Sequence, residues 1–252
     1  MSTDELLVQR EGALLHLQLQ RPDKGNALSA SLVAALQVAL DAAALDAGLR
    51  LLVLSGAGKH FCTGFDLSKL ESETDDTLLA RFTRVELMLQ SLARMPCTTL
   101  ALAHGRTMGA GADLFAACSE RWIVDDASFA FPGAGFGLIL GTARLADIVG
   151  ATQASRWIEG GETINAAGAC ASGLALRQLE RTALPLERDQ LLRRVSRLDT
   201  QTQRAIHAAV GTRRRPRGDV GDAQDLARLV ESAAHRGLRE RIAAYRAAQR
   251  PR

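Results

Sequence analysis

The chain has 252 residues, 47% of them apolar and 23% charged, and a formal net charge of +3. That balance fits one large α/β domain, or a main domain with a smaller appendage, and excludes disorder or a collagen-like structure for the whole chain. No apolar run reaches the roughly 18 residues of a membrane span. Met1-Ser2-Thr3-Asp4-Glu5 lacks the basic-then-apolar pattern of a secretory leader. Cys62, Cys97, Cys118 and Cys170 are scattered, so reduced thiols in a cytoplasmic protein are expected, without a disulfide framework or a zinc site. Charge is uneven: residues 201–252 carry 12 arginines against 5 acids, near +7, which leaves the first 200 residues near −4. Such a tail is either a solvated helical surface or a contact for a phosphate-bearing ligand, nucleic acid or an acidic neighbouring subunit.

The predicted elements begin with a β-hairpin. Leu6-Leu7-Val8-Gln9 and Leu14-Leu15-His16-Leu17-Gln18-Leu19 alternate apolar and polar around Arg10-Glu11-Gly12. A turn-rich loop over 21–26 precedes a helix capped by Ser29 and running to about Ala44. Leu51-Leu52-Val53-Leu54 reads as a strand. Residues 71–76 read as a mobile polar loop and 77–94 as an amphipathic helix ended by Pro96. Thr98–Ala103 is the next strand, followed by a glycine-rich turn from Gly105 to Gly111 and a helix from about Ala112. Trp122-Ile123-Val124 is a strand and Phe129-Ala130-Phe131 a further short one. From about Arg144 the pattern is helical, with no strong strand signal. The alternation argues for an α/β fold with partly parallel strands.

Two glycine-containing turns are the candidate chemistry. Phe61-Cys62-Thr63-Gly64-Phe65-Asp66-Leu67 follows a strand, and Met108-Gly109-Ala110-Gly111-Ala112-Asp113-Leu114 opens a helix. Brought together, they can aim two backbone N–H groups at one oxygen; alone, each is also an ordinary turn. Asp113 is either a favourable charge at a helix start or, if buried, a proton-transfer group. A phosphate loop, a GxSxG elbow and metal-ligand spacing are absent. His60 and His104 lie beside the turns and are read as making local hydrogen bonds. Glu86 reads as a solvated helix residue rather than a pocket carboxylate. Arg144 reads as a surface or interface residue rather than a substrate contact.

The two turns, taken with several other segments, resemble the crotonase (enoyl-CoA hydratase/isomerase) superfamily. Arg21-Pro22 with Asn26-Ala27-Leu28 is similar to its N-terminal signature. Gly56 through Leu67 is similar to its G-x-G-x-x-F-C-A-G-x-D-L stretch, and Pro96 through Leu114 to its P-x-I-A-x-x-x-G-x-x-x-G-G-G-x-E-L block. Ala127-Ser128-Phe129, Gly137-Leu138, Gly173-Leu174 and Tyr245 to Arg250 keep the same order.

The resemblance implies a core of stacked ββα turns over residues 1–190. It also implies a helical oligomerisation region over 191–252, which builds a homotrimer or a hexamer made as a dimer of trimers. The implied ligand is an acyl-CoA thioester, with no cofactor beyond that coenzyme A and no metal. The oxyanion donors fall on the Phe65 and Ala110 amides, and the coenzyme contacts on Lys24, Ala27, Asp66 and Leu67. Two departures bear on the reaction. Family hydratases use two glutamates; here the first position is Asp113 and the second is Gly133. Aspartate sets its carboxylate back by about one C–C bond, ~1.5 Å, and a shift of about 1 Å can cost ~10²-fold in rate. Glycine can carry neither proton-transfer role. The dehalogenase aspartate is replaced by Ala134. Asp113 is then the one acid/base, with a raised pKa if buried against walls such as Leu114 and Phe136.

The expected function is acyl-CoA isomerisation, decarboxylation, hydrolysis or lyase chemistry rather than two-glutamate hydration. The alternative is a degenerate member that binds acyl-CoA, or only assembles, without turnover. Nucleic-acid binding through Arg213-Arg214-Arg215-Pro216-Arg217 is disfavoured, since Trp157 and Tyr245 are the only aromatics after Phe136.

Overall fold

A computed structural model describes residues 3–214 and 218–249, and the arginine run 213–217 lies outside the described side chains. Strands β1 (Leu6–Glu11) and β2 (Leu14–Leu19) form the expected antiparallel hairpin. Strand β3 (Leu51–Gly56) pairs parallel with β2, and β4 (Thr98–Met108) and β5 (Glu120–Ala130) continue the parallel sheet. The period-2 geometry of a strand sends alternate side chains to opposite faces. Leu52, Leu54, Ala101, Ala103 and Ile123 accordingly join the main core. Leu51, Val53, Leu100, Leu102, Trp122 and Val124 enter a second, smaller one on the other face. With both faces covered, every residue of β3 is buried, as parallel strands require.

Helix α1 (Ala30–Leu45) starts where the Ser29 hydroxyl accepts the Leu32 amide at 3.0 Å. Helix α2 (Asp75–Ala93) starts two residues earlier than its apolar period predicts, because Thr74 and Thr77 form a reciprocal cap. The polar segment before it is not the expected mobile loop. Leu70–Ser72 is a short 3₁₀ turn, Glu73 pairs with Arg81, and Asp75 accepts the Gly237 and Arg239 amides at 2.9 Å each.

The turn expected over Gly105–Gly111 narrows to Gly109, and the segment before it, Gly105–Met108, is not a turn. It is the second half of β4, which resumes its pairing to β5 at Gly105 beyond an irregularity in register. Helix α3 (Ala110–Ala116) follows directly. The two short strand predictions in 122–131 are one continuous strand, β5.

Beyond residue 140 the chain is largely helical: α4 (Thr142–Val149), α5 (Ala151–Gly160), α6 (Ala166–Ala171) and α7 (Leu184–Val195). It also contains two strands that the sequence does not betray, β6 (Ile164–Asn165) and β7 (Arg177–Leu179), both on β5. Two or three residues are too few to establish an alternation.

Helices α8 (Thr200–Arg214), α9 (Gly218–Ala234) and α10 (Leu238–Ala248) complete the chain. The last two pack on α2 through a third core of Leu78, Phe82, Leu229, Ala233, Leu238 and Ile242. Among the described residues no helix is long and apolar enough to cross a membrane.

Gly111 shows how tightly α3 is seated. A Cβ there would lie 2.2 Å from the Cys62 carbonyl oxygen and 2.8 Å from its carbonyl carbon. Gly111→Ala is therefore expected to lower stability by about 1–3 kcal/mol or more. A denaturant midpoint equal to wild type would contradict this packing.

Candidate active site

The site starts from a buried asparagine. Asn26 accepts the Arg21 amide at 2.9 Å and donates to the carbonyls of Ala57 and His60 at 2.8 and 2.7 Å. It thus fixes the loop that leads from β3 to the first turn. Leu28 N–H donates to Gly64 O at 2.8 Å, and Asp66 N–H donates to Leu28 O at 3.1 Å. In this parallel bridge the intervening Phe65 amide has no acceptor among the described residues. The Ala110 amide has none either, being the first of a helix. The two turns touch. A Cβ on Gly64, which sits at φ +98°, would lie 2.7 Å from Met108 O and 3.6 Å from the Ala110 nitrogen. Cys62 O accepts the Met108 amide at 3.0 Å, closing the contact from the other side.

Asp113 lies one turn into α3 and is only 3% exposed. No described residue donates a hydrogen bond to its carboxylate. The Gly141 Cα packs against it, so that a Cβ there would fall 2.0 Å from Oδ1. Phe136 packs edge-on against Tyr245 at 5.5 Å between centroids. Burial raises the Asp113 pKa to about 8; the Arg144 charge opposes this and the Glu86 charge adds to it.

Glu86 and Arg144 correct the sequence-based reading. Glu86 is not solvated and Arg144 is not on the surface: they are 1% and 5% exposed in their side chains and pair at 3.0 Å. Gln90 donates to the same Glu86 oxygen at 3.0 Å. Glu86 Oε2 and Arg144 Nε and Nη1 are buried with no partner. A signal for Glu86 was present in the sequence. Phe82, Val85, Glu86 and Leu89 share the i, i+3, i+4, i+7 stripe of α2, and all four are buried.

Of Lys24, Ala27, Asp66 and Leu67, the Ala27 amide donates to Lys24 O at 3.1 Å, Asp66 and Leu67 directly follow Phe65, and Arg21 joins Ala27 to Asp66. That guanidinium donates to Ala27 O and pairs with Asp66 at 2.8 Å. Burial pushes the Asp66 pKa up, but the Ser68 amide and Arg21 more than offset it, and the net shift is downward. Lys24 is exposed, and Leu67 O accepts from Arg246 of α10 at 3.0 Å. The Phe65 ring stacks on Phe82 at 4.1 Å with the Arg81 guanidinium 4.2 Å from its centroid.

The histidines do what the sequence suggests. His60 Nδ1 accepts the Arg106 amide at 3.1 Å, and His104 Nε2 bonds Gly58 O at 3.0 Å. Burial pushes the Cys62 thiol up to about 12, which leaves it unreactive. Gly133, in the turn Pro132–Phe136, has no side chain to offer, and a Cβ there would meet Leu138 O at 3.3 Å.

The enoyl-CoA hydratase/isomerase family model matches residues 9–250. The chain belongs to the enoyl-CoA hydratase/isomerase family. A crystal structure from Bordetella parapertussis, assigned to the same class, superposes with a TM-score of 0.91 at 40% identity, covering 98% of this chain and 99% of that one. The 2,3-dehydroadipyl-CoA hydratase of Escherichia coli K12 is 33% identical over 68% of this chain and 67% of its own length. The peroxisomal Delta(3,5)-Delta(2,4)-dienoyl-CoA isomerase of Arabidopsis thaliana is 30% identical over 57% of each chain.

The family fold places Asp113 where its charge costs stability. Its folded pKa, about 8, lies above its ordinary value of 3.8. The folded state therefore holds a proton that the unfolded chain releases. That stabilisation is complete below the ordinary value and is lost as pH rises through about 8. Asp113→Asn is expected to gain stability relative to wild type between about pH 5 and pH 9. Thermal melts of both proteins across that range would show the gap widening, and a constant gap would contradict it.

Proposed function

We propose that this family member is an acyl-CoA-processing enzyme in which the thioester oxygen sits between the Phe65 and Ala110 amides. The observation that carries this is the pair of unpaired N–H groups on two touching turns, one of them at a helix start. Such donors, fixed before the substrate arrives, stabilise the charge that develops on a thioester oxygen as it becomes an enolate or tetrahedral oxyanion. Asp113 is the proton-transfer group. A carboxyl with a pKa near 8 can take a proton and return it close to neutral pH. Lys24, Ala27, Asp66 and Leu67 receive the coenzyme A part, with Lys24 contributing charge and the turn contributing backbone groups.

Gly133 favours one-base chemistry over two-glutamate hydration. Double-bond isomerisation, decarboxylation, thioester hydrolysis and carbon–carbon lyase reactions all fit a single acid/base beside an oxyanion site. The same glycine supports a second reading, a member that binds acyl-CoA without turnover. Assembly as a homotrimer, or a hexamer of two trimers through residues 191–252, rests on the family resemblance.

Exchange of the thioester α-protons in heavy water, read by mass spectrometry over a panel of acyl-CoA thioesters, tests the proposal. Wild type is expected to exchange at least one thioester. The rate should rise with pH to a plateau with its midpoint near the Asp113 pKa of about 8, because only the ionised carboxylate accepts a proton. Asp113→Ala should lose the exchange by about 10²-fold or more. Tight binding without exchange or turnover would establish the second reading, and an Asp113→Ala variant as active as wild type would remove Asp113 from the mechanism.

A further inference from the structure

The Phe65 amide needs more than its own backbone to hold its direction. Leu28 N–H fixes the carbonyl end of the Gly64–Phe65 peptide at 2.8 Å, but the N–H end has no acceptor among the described residues. Gly64 sits at φ +98°, where glycine is conformationally permissive. With the peptide planar, the soft rotations at Phe65 are φ and ψ, both about its Cα. The ring branches from that same Cα, so a fixed ring restrains the donor.

The ring is fixed by two neighbours on α2. Phe82 stacks on it at 4.1 Å with 23° between planes, and the Arg81 guanidinium carbon lies 4.2 Å from its centroid. Arg81 has two further holds. Its Nη2 donates to Asp66 O, on the residue after Phe65, at 3.0 Å, and its Nη1 pairs with Glu73. Glu73 also accepts the Thr77 hydroxyl; burial pushes its pKa up, but Thr77 and Arg81 more than offset this, and the net shift is downward. The Arg81 and Glu73 side chains are only 14% and 15% exposed, and a cation over an aromatic face is stronger when desolvated. One planar group thus meets the Phe65 ring, the next carbonyl and a fixed anion together, which a lysine cannot do. Behind it, Leu78, Phe82, Val85 and Leu89 anchor α2 in the interior.

We propose that Arg81 is a positioning residue for the oxyanion site, holding the Phe65 amide on the thioester oxygen without touching the substrate. The proposal rests on the thioester lying between Phe65 and Ala110, as argued above. Such a residue serves the transition state more than ground-state binding, because the donor gains most as charge develops on the oxygen.

Arg81→Met, which keeps an apolar stem and removes the charge and both donors, tests this. Three quantities are read on an acyl-CoA that wild type exchanges: the α-proton exchange rate at saturation, the Kd by calorimetry, and the bound carbonyl stretch of the carbon-13 thioester. The saturated rate is expected to fall about tenfold or more, part of the ~10²–10³-fold that follows loss of a whole oxyanion donor. The Kd should change by less than about threefold, and the stretch should move back towards its free-solution frequency. A merely structural loss would reduce the number of competent sites and leave that frequency unmoved. Arg81→Lys, which keeps the charge and loses the fork, should fall between wild type and Arg81→Met, and it carries the test if Arg81→Met folds poorly. Wild-type rate and frequency in the folded variant would overturn the role of Arg81 and leave the acyl-CoA reading standing, as would a weaker Kd with an unchanged saturated rate. A wild type that shows neither exchange nor a shifted carbonyl would overturn both.

Discussion

The candidate site depends on one contact, the seating of the Phe61–Leu67 turn against the start of α3. Cys62 O accepts the Met108 amide, Gly111 leaves no room for a side chain over that same carbonyl, and Gly64 does the same over Met108 O. Backbone that approaches this closely must be glycine on at least one side of each contact. The consequence is chemical as well as steric. Main-chain carbonyls consume the Thr63 and Asp66 amides on one turn and the Met108, Gly109 and Asp113 amides on the other, while those of Phe65 and Ala110 are left without an acceptor among the described residues. The preorganisation comes from the rigid sheet: β3 and β4 deliver the two turns and are themselves locked by parallel pairing and burial on both faces.

Beneath that frame sits a second constraint, a cluster of charge taken out of water. Asp113, Glu86 and Arg144 are each at most 5% exposed. Burial of an ion pair is expensive and replacing it with apolar groups is often no worse for stability. A Glu–Arg pair with three unpartnered atoms is therefore poor stabilisation, and its effect on Asp113 is electrostatic. Arg144 restrains the rise in the Asp113 pKa and Glu86 enhances it, so the carboxyl settles near 8. The chain thus carries a buried carboxyl whose pKa lies near neutrality.

Much of this was legible in the sequence, and the rest fails for identifiable reasons. The hairpin, α1 with its Ser29 cap, and the existence of α2 follow from period and capping chemistry. The length of β4 does not, because glycine signals a turn locally while the neighbouring β5 supplies a ladder to pair with. Strands β6 and β7 are too short to carry a pattern and exist only because β5 offers free edge positions. The two turns and Asp113 stood out by motif, but their contact is a tertiary fact. Residue type misleads at Glu86: a glutamate on a helix is usually solvated, and its place on the apolar stripe is the better guide. Arg144 had no such signal, since its burial depends on Glu86 lying 58 residues earlier in the chain.

Two amides aimed at one oxygen should polarise the thioester carbonyl on binding. Isotope-edited infrared spectroscopy of an acyl-CoA labelled with carbon-13 at the thioester carbon reads that polarisation directly on the bound ligand. Two aligned amide donors should move the carbonyl stretch to lower frequency than in free solution, and Gly64→Ala, which forces the turns apart, should abolish the shift. A bound carbonyl that absorbs at the frequency of the free thioester would contradict the account.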